Sequence, residues 1–469
     1  MTEIPLPAGV FDPSAIQVAR RLTEAGHIAY FAGGCVRNAL LRRNPVDIDI
    51  ATNATPDEVA WIFPGARFVG KSFGVTLVPG GEKWFEVATF RRDVGTADGR
   101  RPLTVEFTGP EEDARRRDFT INALFYDPVR ELVIDYVNGL QDLDQRVVRA
   151  VGDPRARFRE DFLRMLRAIR FASVLEFEID SQTFDAIKEA APHILQISAE
   201  RIFQELDRIW TESDKPGRGL YLLRDSGLLE HILPEVMAMN GVEQPPEFHP
   251  EGDVFVHTAL ALNAMEGRDS VLAWSVLLHD VGKPQTQILT PDGQIRFPGH
   301  ANVGAEMADA ILRRLRASNE LREAVIHLVR HHMRFVDWPR MKASTRRKIV
   351  AHPLFEKELA LHKADCLASH GLLDTWAAAR EEFERFRAEP ALPKPWIRGR
   401  DLLALGIPEG PELGSWLRLA YDAQLEGRFD DRESLVTWLR EQLASNRLPP
   451  SEPDEPTAPP PAQPEDSSA

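Results

Sequence analysis

A pair of glycines followed by two closely spaced aspartates constrains this chain more than any other feature. Gly33-Gly34 ends the apolar segment HIAYFAGG, the segment VRNALLRR follows, and Asp47 and Asp49 lie in the next apolar segment, VDIDIAT. The first and third segments are predicted strands, and the second is a predicted helix. Because residues i and i+2 of a strand point to the same face, we expect the two aspartates to share one face.

This order of residues suits the transfer of a nucleotide. Glycines let a backbone approach a triphosphate closely, and the N–H groups at a helix start favour anions, so Gly33, Gly34 and Arg37 are predicted to bind a nucleotide. Two carboxylates on one face suit a pair of Mg²⁺ ions that bridge phosphate oxygens and an attacking hydroxyl. Asp47 and Asp49 are therefore the predicted catalytic residues and ligands of two magnesium ions. Read alone, the same letters would describe a turn and a solvated strand face.

The whole segment FAGGCVRNALLRRNPVDIDIATNATPDEV resembles the opening motif of the class II nucleotidyltransferases. This is the family of tRNA CCA-adding enzymes and bacterial poly(A) polymerases, and the resemblance implies a polymerase-β-like head. One position departs from the family, which has VRD where this chain has Val36-Arg37-Asn38. Asparagine keeps the shape and hydrogen-bonding capacity of aspartate but loses its charge.

A second motif, RRDFTINAL at residues 116–124, is similar to a segment of the same family. The resemblance implies that Arg117 contacts the triphosphate, for which a guanidinium offers bidentate geometry. An exposed basic turn before a helix is the alternative interpretation, and it would explain the arginines but not the remaining letters.

A third motif, EDFLR at residues 160–164, is predicted to open a helix that also carries Arg167 and Arg170. The spacing would make Asp161 and Arg164 neighbours on the helix surface. The family resemblance implies that they read the edge of the incoming base, the carboxylate accepting from the amino group of C or A and the arginine donating to the acceptor beside it. Arg167 and Arg170 are also predicted to bind the nucleotide. Alone, this segment is more typical of a salt-bridged helix face. The segment SAERI at residues 198–202 resembles the next family motif and is expected to brace this helix.

A histidine–aspartate pattern occupies the second half of the chain. The order H…HD…D, with the context LLHDVGK, resembles the HD metal-dependent phosphohydrolases, and the predicted ligands of a divalent metal of unknown identity are His257, His279, Asp280 and Asp365. His300 and either His331 or His332 are candidates for a second metal, and Lys283 for a phosphate contact. A packed core histidine is the alternative for any one of these positions.

The predicted fold is multidomain α+β: a polymerase-β-like head with a mixed sheet, a mostly helical neck and body, an all-α HD domain and a disordered tail. Two segments of the head, VTLVPGGEKWFEVATF with a hairpin at its Pro-Gly-Gly and TVEFTG, are expected to be strands of one sheet. The predicted ranges are 15–150 for the head, 151–245 for the neck and body, 250–385 for the HD domain, 390–447 for a C-terminal helical element and 448–469 for the Pro-rich acidic tail.

Composition limits where the protein works and how it meets RNA. The chain lacks an apolar run long enough for a membrane span and a basic, apolar secretory start, and its two cysteines are far apart, so we expect a cytoplasmic protein. The formal net charge of −15 opposes phosphate binding overall. Any RNA contact must therefore come from local basic clusters.

Together these motifs predict a nucleotidyltransferase, and the family resemblance implies a template-independent enzyme of the RNA 3′ end that adds C, C and A to tRNA from CTP and ATP. The Gly- and Arg-rich part of residues 90–110, ADGRRP, resembles a flexible loop that the family associates with A addition. A poly(A) polymerase or an enzyme that adds only A would also fit within the family. Outside it, the motifs leave open an HD phosphohydrolase whose head binds RNA, and a non-catalytic RNA-binding protein.

Overall fold

The computed structural model describes residues 1–70, 74–96, 102–245, 252–388 and 392–445. By its internal contacts the chain divides into two compact units. The first comprises residues 1–333 and 360–373, and the second comprises residues 334–359 and the described residues from 374 onward. Among the described residues, no helix has the length and apolar character needed to cross a bilayer.

The first part of unit one alternates strands and short helices. Its strands are β1 (Thr2–Pro5), β2 (Ala29–Ala32), β3 (Asp49–Thr52), β4 (Arg67–Gly70), β5 (Val75–Gly80), β6 (Lys83–Thr89), β7 (Arg91–Thr96), β8 (Pro102–Phe107), β9 (Phe125–Asp127), β10 (Leu132–Asp135) and β11 (Val147–Val148). Its helices are α1 (Pro13–Glu24), α2 (Gly34–Leu40), α3 (Pro56–Ile62), α4 (Pro110–Arg115) and α5 (Gly139–Asp144), with 3₁₀ turns at Ala8–Val10 and Thr120–Asn122. The predicted mixed α/β head is confirmed.

Eight of these strands form one sheet in the order β1-β10-β9-β2-β3-β6-β5-β4. The neighbours are antiparallel except β3 and β6, which run parallel. The predicted hairpin is present, with Gly80 opposite Lys83. The segment TVEFTG does not join this sheet: β8 pairs only with β7 in a separate two-stranded ribbon. Alternation of apolar residues predicts a strand but not its hydrogen-bonding partner, which is why that prediction was wrong.

The strand predicted to carry both aspartates begins later than expected. β3 starts at Asp49, whose partner Ala32 is the last residue of β2. Gly33 turns the chain away into α2, so no strand is left to pair with the residues before Asp49. Asp47 therefore lies in the irregular segment ahead of the strand, and the prediction that both aspartates lie on one strand is wrong for Asp47.

The rest of unit one is mostly helical. The elements up to residue 237 are α6 (Pro154–Glu160), α7 (Leu163–Leu175), β12 (Glu178–Ile179), α8 (Ser181–Ala190), a 3₁₀ helix (Ala191–Gln196), α9 (Ala199–Glu212), α10 (Pro216–Asp225), α11 (Leu228–Ile232) and α12 (Pro234–Met237). The elements that follow are α13 (Val254–Ala264), α14 (Ser270–Leu278), α15 (Lys283–Thr286), β13 (Ile288–Leu289), β14 (Ile295–Arg296), α16 (His300–Arg314) and α17 (Asn319–His331). Helices α13 and α14 are apolar and mostly buried, although Leu260 of α13 is 40% exposed.

The helix predicted from Glu160 onward is broken at its second residue. Helix α6 ends at Glu160, Asp161 is extended with φ −156° and ψ 107°, and α7 begins at Leu163. The Asp161 carboxylate accepts a hydrogen bond from the backbone N–H of Leu163 at 3.0 Å, so it satisfies one of the free N–H groups at the start of the new helix. Aspartate at this position offers the backbone an alternative to the helical bond, which the helical periodicity on either side conceals.

Unit two is a smaller helical body with two apolar cores. Its elements are the end of a 3₁₀ helix (His332–Arg340), α18 (Ala343–Val350), the start of α19 (Phe355–Ala368, of which residues 360–368 belong to unit one), α20 (Asp374–Ala388), α21 (Gly399–Ala404), α22 (Pro411–Leu425) and α23 (Arg432–Ala444). One core gathers Phe335, Trp338 and Phe355, and the other is centred on Trp416 and Leu435. The ADGRRP loop, apart from Pro102, and the tail 448–469 fall outside the described residues.

Candidate active sites

A pocket of about 650 Å³ opens in unit one between the sheet and the helices that follow it. It is lined by all ten residues that the sequence predicts for the nucleotide and its metals: Gly33, Gly34, Arg37, Asp47, Asp49, Arg117, Asp161, Arg164, Arg167 and Arg170. These residues come from segments up to 137 positions apart, since Gly33 and Arg170 are both members. The lining holds nine arginines against five carboxylates, although the whole chain is acidic.

Carboxylates gather at one side of this pocket. Glu86 on β6 lies beside Asp49, because β3 and β6 pair in parallel with Ile50 opposite Val87. Partial enclosure in the pocket, followed by the negative charges of Glu86 and Asp47, raises the pKa of Asp49 to about 6, and Arg117 opposes the shift. A carboxylate whose ionisation is disfavoured by neighbouring acids fits a divalent cation, whose charge would relieve the repulsion.

Gly33 lies close to Arg117, the side chain predicted to contact the triphosphate. Its φ is +75° and its ψ is −127°, a conformation that is essentially restricted to glycine. A Cβ at this position would lie 3.0 Å from a terminal nitrogen of Arg117. The glycine therefore both permits the turn into α2 and leaves room for the Arg117 guanidinium.

Asp113 is a site residue that the sequence reasoning missed. It lies on α4 with only 1% of its surface exposed, and it accepts hydrogen bonds from both Arg116 and Arg117 at 2.7–3.2 Å. The two guanidinium groups hold the pKa of Asp113 below its usual value against the effect of burial. Its spacing of three and four residues before the arginines was the available signal. Asp113 therefore fixes the orientation of the Arg117 guanidinium, which is predicted to contact the triphosphate.

Asn38, the departure from the family motif, has a defined partner. Its side-chain oxygen accepts two hydrogen bonds from the Arg37 guanidinium, at 3.2 and 2.9 Å, and Arg37 also donates to Asn122. Burial, and next the positive charge of Arg170, lower the pKa of Arg37 to about 10. Asparagine thus supplies the acceptor that Arg37 requires but no countercharge. The contact of Arg37 with a nucleotide remains a prediction.

The predicted base-reading pair is arranged differently from a helical i,i+3 pair. Asp161 accepts from Arg201 of α9 at 2.7 Å, which is the bracing contact expected of the SAERI segment. Arg164 instead donates to Glu160 at 2.6 Å and to the backbone oxygen of Arg157 at 3.0 Å. The break between α6 and α7 separates the two side chains into these two pairs. Both still line the pocket, so a carboxylate and a guanidinium remain available to a base edge.

Arg167 and Arg170 are held by ion pairs beneath the pocket. Arg167 contacts the buried Asp118 at 2.7 Å, and this contact, with the hydrogen bonds from Asn122 and the Phe119 backbone, lowers the pKa of Asp118 to about 2 although burial alone would raise it. Arg170 is 3% exposed and contacts Glu205 at 2.8 Å. These pairs tie the head to α7 and α9. Their contact with a nucleotide stays a prediction.

A second cluster lies where α13, α14, α16 and α19 meet in unit one. The four residues predicted as metal ligands come together there. His257 Nε2 lies 3.1 Å from Asp365 and 3.2 Å from His279 Nε2, and His279 Nε2 lies 3.2 Å from Asp280. Burial would raise the pKa of both acids, but the hydrogen bond with His257 holds the pKa of Asp365 well below its usual range, and interactions with His279 and Lys283 do the same for Asp280.

Asp280 also faces a second triad. His300 and His332 place their Nε2 atoms 3.5 and 3.8 Å from Asp280 Oδ1 and 3.2 Å from each other. Of the two adjacent candidates, His332 therefore joins the cluster, whereas His331 bonds the backbone oxygen of His327 through Nδ1. The Nδ1 atoms of His279, His300 and His332 each lie 2.7–2.9 Å from a backbone oxygen.

Those backbone contacts orient the rings. A histidine whose Nδ1–H donates to a carbonyl presents an unprotonated Nε2, which is the form that binds a metal. Burial lowers the pKa of His332 to about 3, so the ring stays neutral. The donor set of two triads, His257–His279–Asp365 and Asp280–His300–His332, fits divalent metal ions.

Lys283 completes the second cluster. Its Nζ lies 2.7 Å from Asp280 and donates to Gln244 Oε1 at 2.6 Å, and both Lys283 and Gln244 are buried. Gln244 was not predicted, because a single glutamine in a Pro-rich break carries no sequence signal. Asp280 and Gln244 thus hold the Lys283 ammonium group at the edge of the two triads.

Three family models match successive parts of the chain. They are the Poly A polymerase head domain over residues 29–149, the probable RNA and SrmB-binding site of polymerase A over residues 176–239, and the HD domain over residues 254–368. The first covers all strands of the large sheet except β1, together with its acidic cluster, and the third covers both histidine triads. The resemblances inferred from the motifs are confirmed.

Relatives and solved structures agree with these models. A CCA-adding enzyme of Limosilactobacillus reuteri is 33% identical over 446 residues, which is 93% of this chain and 98% of the relative, and that of Bacillus licheniformis is 43% identical over 46% of this chain and 55% of the relative. The crystal structure of a Bacillus stearothermophilus CCA-adding enzyme in complex with CTP matches with a TM-score of 0.70 and 27% identity, covering 93% of this chain and 99% of that one. A Thermotoga maritima CCA-adding enzyme shares the fold with a TM-score of 0.63 at 20% identity, covering 95% of this chain and 100% of that one. The chain therefore belongs to the CCA-adding enzymes, a family of nucleotidyltransferases.

Proposed function

We propose that this protein adds C, C and A to the 3′ end of tRNA, using CTP and ATP, in the cytoplasm. The observation that carries the proposal is the pocket in which the acidic cluster, the glycine turn and the Asp161/Arg164 pair lie together. The family relationship and the CTP complex of the Bacillus stearothermophilus relative support the choice of substrates. The two cysteines, both free and buried, support a reducing compartment.

Asp47 and Asp49, with Glu86 beside them, are the residues that would hold two Mg²⁺ ions. When bound, such ions neutralise charge on the attacking and leaving oxygens of an in-line displacement. The chain's own groups position the reactants. Gly33 keeps the backbone close to the triphosphate, and Arg117, held by Asp113, presents its guanidinium to it.

The base is selected by hydrogen bonds to the protein, since no template strand is required. Asp161 accepts from the amino group that C and A share, and Arg164 donates to the ring acceptor next to it. U and G present the reverse pattern, so each would leave buried polar groups unsatisfied at ~1–3 kcal/mol apiece. Arg201 and Glu160 keep the two reading groups in place between additions.

The proposal is tested with purified protein, tRNA lacking its CCA end, and each labelled nucleotide in turn. We expect incorporation of C in the absence of ATP, followed by a single A when ATP is added. Use of ATP alone to add one residue would instead establish an A-adding enzyme, and long A tracts would establish a poly(A) polymerase. Failure to use CTP contradicts the proposal.

Replacing Asp161 by alanine should weaken base selection. We expect the ratio of kcat/KM for CTP to that for UTP to fall by about 10- to 100-fold, because the group that accepts from the amino group is gone. Competition between labelled CTP and UTP measures the ratio. Asp144→Ala, which removes an exposed carboxylate at the end of α5, is the matched control. An unchanged ratio in Asp161→Ala would assign base reading to different residues.

We further propose that the HD domain holds two divalent metal ions and hydrolyses a phosphate ester. The shared Asp280 between two triads supports the metals, and Lys283, at 2.7 Å from Asp280, is placed to contact a phosphate. A metal there would activate water or polarise the phosphate. Cleavage of simple phosphate esters by the wild type, lost in Asp280→Ala while nucleotide addition persists, is the test.

Removing one triad should remove one metal. We expect His300→Ala to retain one metal ion per HD domain where the wild type retains two, because the first triad keeps all its ligands. Elemental analysis of dialysed protein by mass spectrometry measures the ratio. His231→Ala alters a histidine that belongs to neither triad and should retain both ions. Equal metal content in wild type and His300→Ala would count against the second site.

A further inference from the structure

Lys283 is a buried cation beside the two histidine triads, and its nitrogen keeps capacity for a ligand. Its Nζ contacts Asp280 at 2.7 Å and donates to Gln244 Oε1 at 2.6 Å. The ring centroid of Phe297 lies 5.5 Å from the same nitrogen, a distance at which an aromatic ring attracts a cation. An ammonium group has three N–H donors, so one donor remains after these two contacts.

Gln244 reaches this cation from outside the part of the chain that the HD family model matches. The match begins at residue 254, ten positions after Gln244. The segment of Gln244 is fixed by Asp253, whose Oδ2 accepts from the backbone N–H of Gly241 at 2.8 Å. Asp253 Oδ1 accepts from the backbone N–H of Val256 at 2.7 Å and so caps α13, the helix that carries His257. One aspartate therefore places both Gln244 and a predicted metal ligand.

The orientation of the Gln244 amide follows from its partner. An ammonium group can only donate, so the amide oxygen must face Lys283 and the amide nitrogen must face elsewhere. That nitrogen, Nε2, is buried and has no hydrogen-bond partner among the residues that the structure describes. A buried amide nitrogen without a partner lowers stability, so packing does not account for a glutamine at this position. The contact of its oxygen with Lys283 does account for it.

A neutral acceptor has a particular effect on a cation. A glutamate at position 244 would also accept from Lys283, but its charge would add to that of Asp280 and cancel the attraction of the ammonium group for an anion. Gln244 fixes the ammonium group and leaves its charge unchanged. The remaining N–H donor of Lys283 is thus held in place with its charge available to an anionic ligand.

We propose that Gln244 is a positioning residue through which the HD site prefers phosphate monoesters to phosphate diesters. This inference rests on the proposed hydrolysis of a phosphate ester, because it concerns the substrate of the same site. A monoester has three non-bridging oxygens and about two negative charges at neutral pH, whereas a diester has two such oxygens and about one charge. With two oxygens bound by metal ions, the third is left for the Lys283 ammonium group, which Gln244 holds in place.

The test compares the hydrolysis of p-nitrophenyl phosphate, a monoester, with that of bis(p-nitrophenyl) phosphate, a diester, by the metal-loaded full chain. We expect the wild type to have the higher kcat/KM for the monoester. Gln244→Met removes the acceptor, and Gln244→Glu keeps it but adds a negative charge. Each should lower the ratio of the two kcat/KM values, monoester to diester, by about tenfold.

A double substitution tests whether Gln244 acts through Lys283. Lys283→Met should lower the same ratio by at least as much as Gln244→Met. Added to Lys283→Met, the Gln244→Met change should alter the ratio by less than about twofold, because the two side chains act as one unit. Gln182→Met replaces an exposed glutamine of α8 and should leave the ratio at the wild-type value.

Binding of inorganic phosphate separates the inference from the proposed function. Isothermal titration calorimetry of the metal-loaded chain measures it, and the binding that Lys283→Met abolishes belongs to the HD site. We expect Gln244→Met to weaken that binding about tenfold, with metal content and the midpoint of thermal unfolding at wild-type values. If the wild type binds phosphate in this way but cleaves neither ester, only the proposed function is contradicted.

Three results would overturn the inference. The first is an ester ratio that both Gln244 variants share with the wild type, and the second is a wild type that prefers the diester. The third is phosphate binding that Lys283→Met leaves unchanged. Loss of metal from both Gln244 variants would likewise contradict it, because Gln244 would then act on the metals and not on Lys283.

Discussion

Replacing Asp49 by alanine is expected to lower kcat for nucleotide addition by at least about a thousandfold. The change removes a central ligand of the proposed magnesium pair, whose stabilisation of the developing charge is worth several kcal/mol, and ~4 kcal/mol corresponds to a factor of a thousand. Single-turnover incorporation of labelled CTP into tRNA lacking CCA measures the loss. Activity within tenfold of the wild type would show that Asp49 is not a metal ligand in the reaction.

The stability of the same variant offers an internal check. Because burial, and next the charges of Glu86 and Asp47, disfavour the charge on Asp49, its removal should leave the midpoint of thermal unfolding unchanged or slightly raised in the absence of metal. A drop in activity without a drop in stability is therefore the expected signature. Glu24→Ala, which removes an exposed carboxylate at the end of α1, should affect neither quantity.

Gly33→Ala is expected to lower kcat/KM for CTP by about a hundredfold. The new Cβ would lie 3.0 Å from Arg117, so the guanidinium must move, and a displacement of ~1 Å at a catalytic group commonly costs that much. The positive φ of +75° adds backbone strain of about 1 kcal/mol or more. Steady-state kinetics and thermal unfolding together measure both effects.

Gly26→Ala serves as a control that introduces backbone strain without a steric clash. Gly26 also has a positive φ, of +90°, but a Cβ there meets nothing within 4 Å. The control should therefore lose stability without losing kcat/KM. If Gly26→Ala and Gly33→Ala reduce activity equally, backbone strain alone accounts for the effect. The contact between the new Cβ of Gly33→Ala and Arg117 then does not affect activity.

The positions of the glycine turn and of Asp49 could be predicted because the order of strands and glycines along a short stretch of sequence determines them. An apolar strand, two glycines and a second strand place Gly33 beside Asp49 through one antiparallel pairing. The histidine pattern likewise indicated one cluster. The choice between His331 and His332 could not be made from the sequence, since both follow the same helical pattern and only the position of Asp280 distinguishes them.

The ion pairs around the pocket could not be predicted. Asp118 had several arginines within reach of its sequence neighbourhood, yet its contact with Arg167 spans 49 positions of sequence. The pair between Arg201 and Asp161 depends on the break between α6 and α7, which periodicity does not reveal. Charged residues at helical spacing indicate an exposed face, whereas here the tertiary structure turns that face inward and satisfies the charges pairwise.

The distribution of charge has a consequence for which part of an RNA this protein can engage. Nine arginines line a recess of about 650 Å³, whereas the chain as a whole carries a formal charge of −15. A recess of this volume has room for single nucleotides but not for the flank of a duplex. Only a strand terminus can bring its phosphates to the arginines. The protein thus distinguishes the end of an RNA from its side through the location of its positive charge, before any base is read.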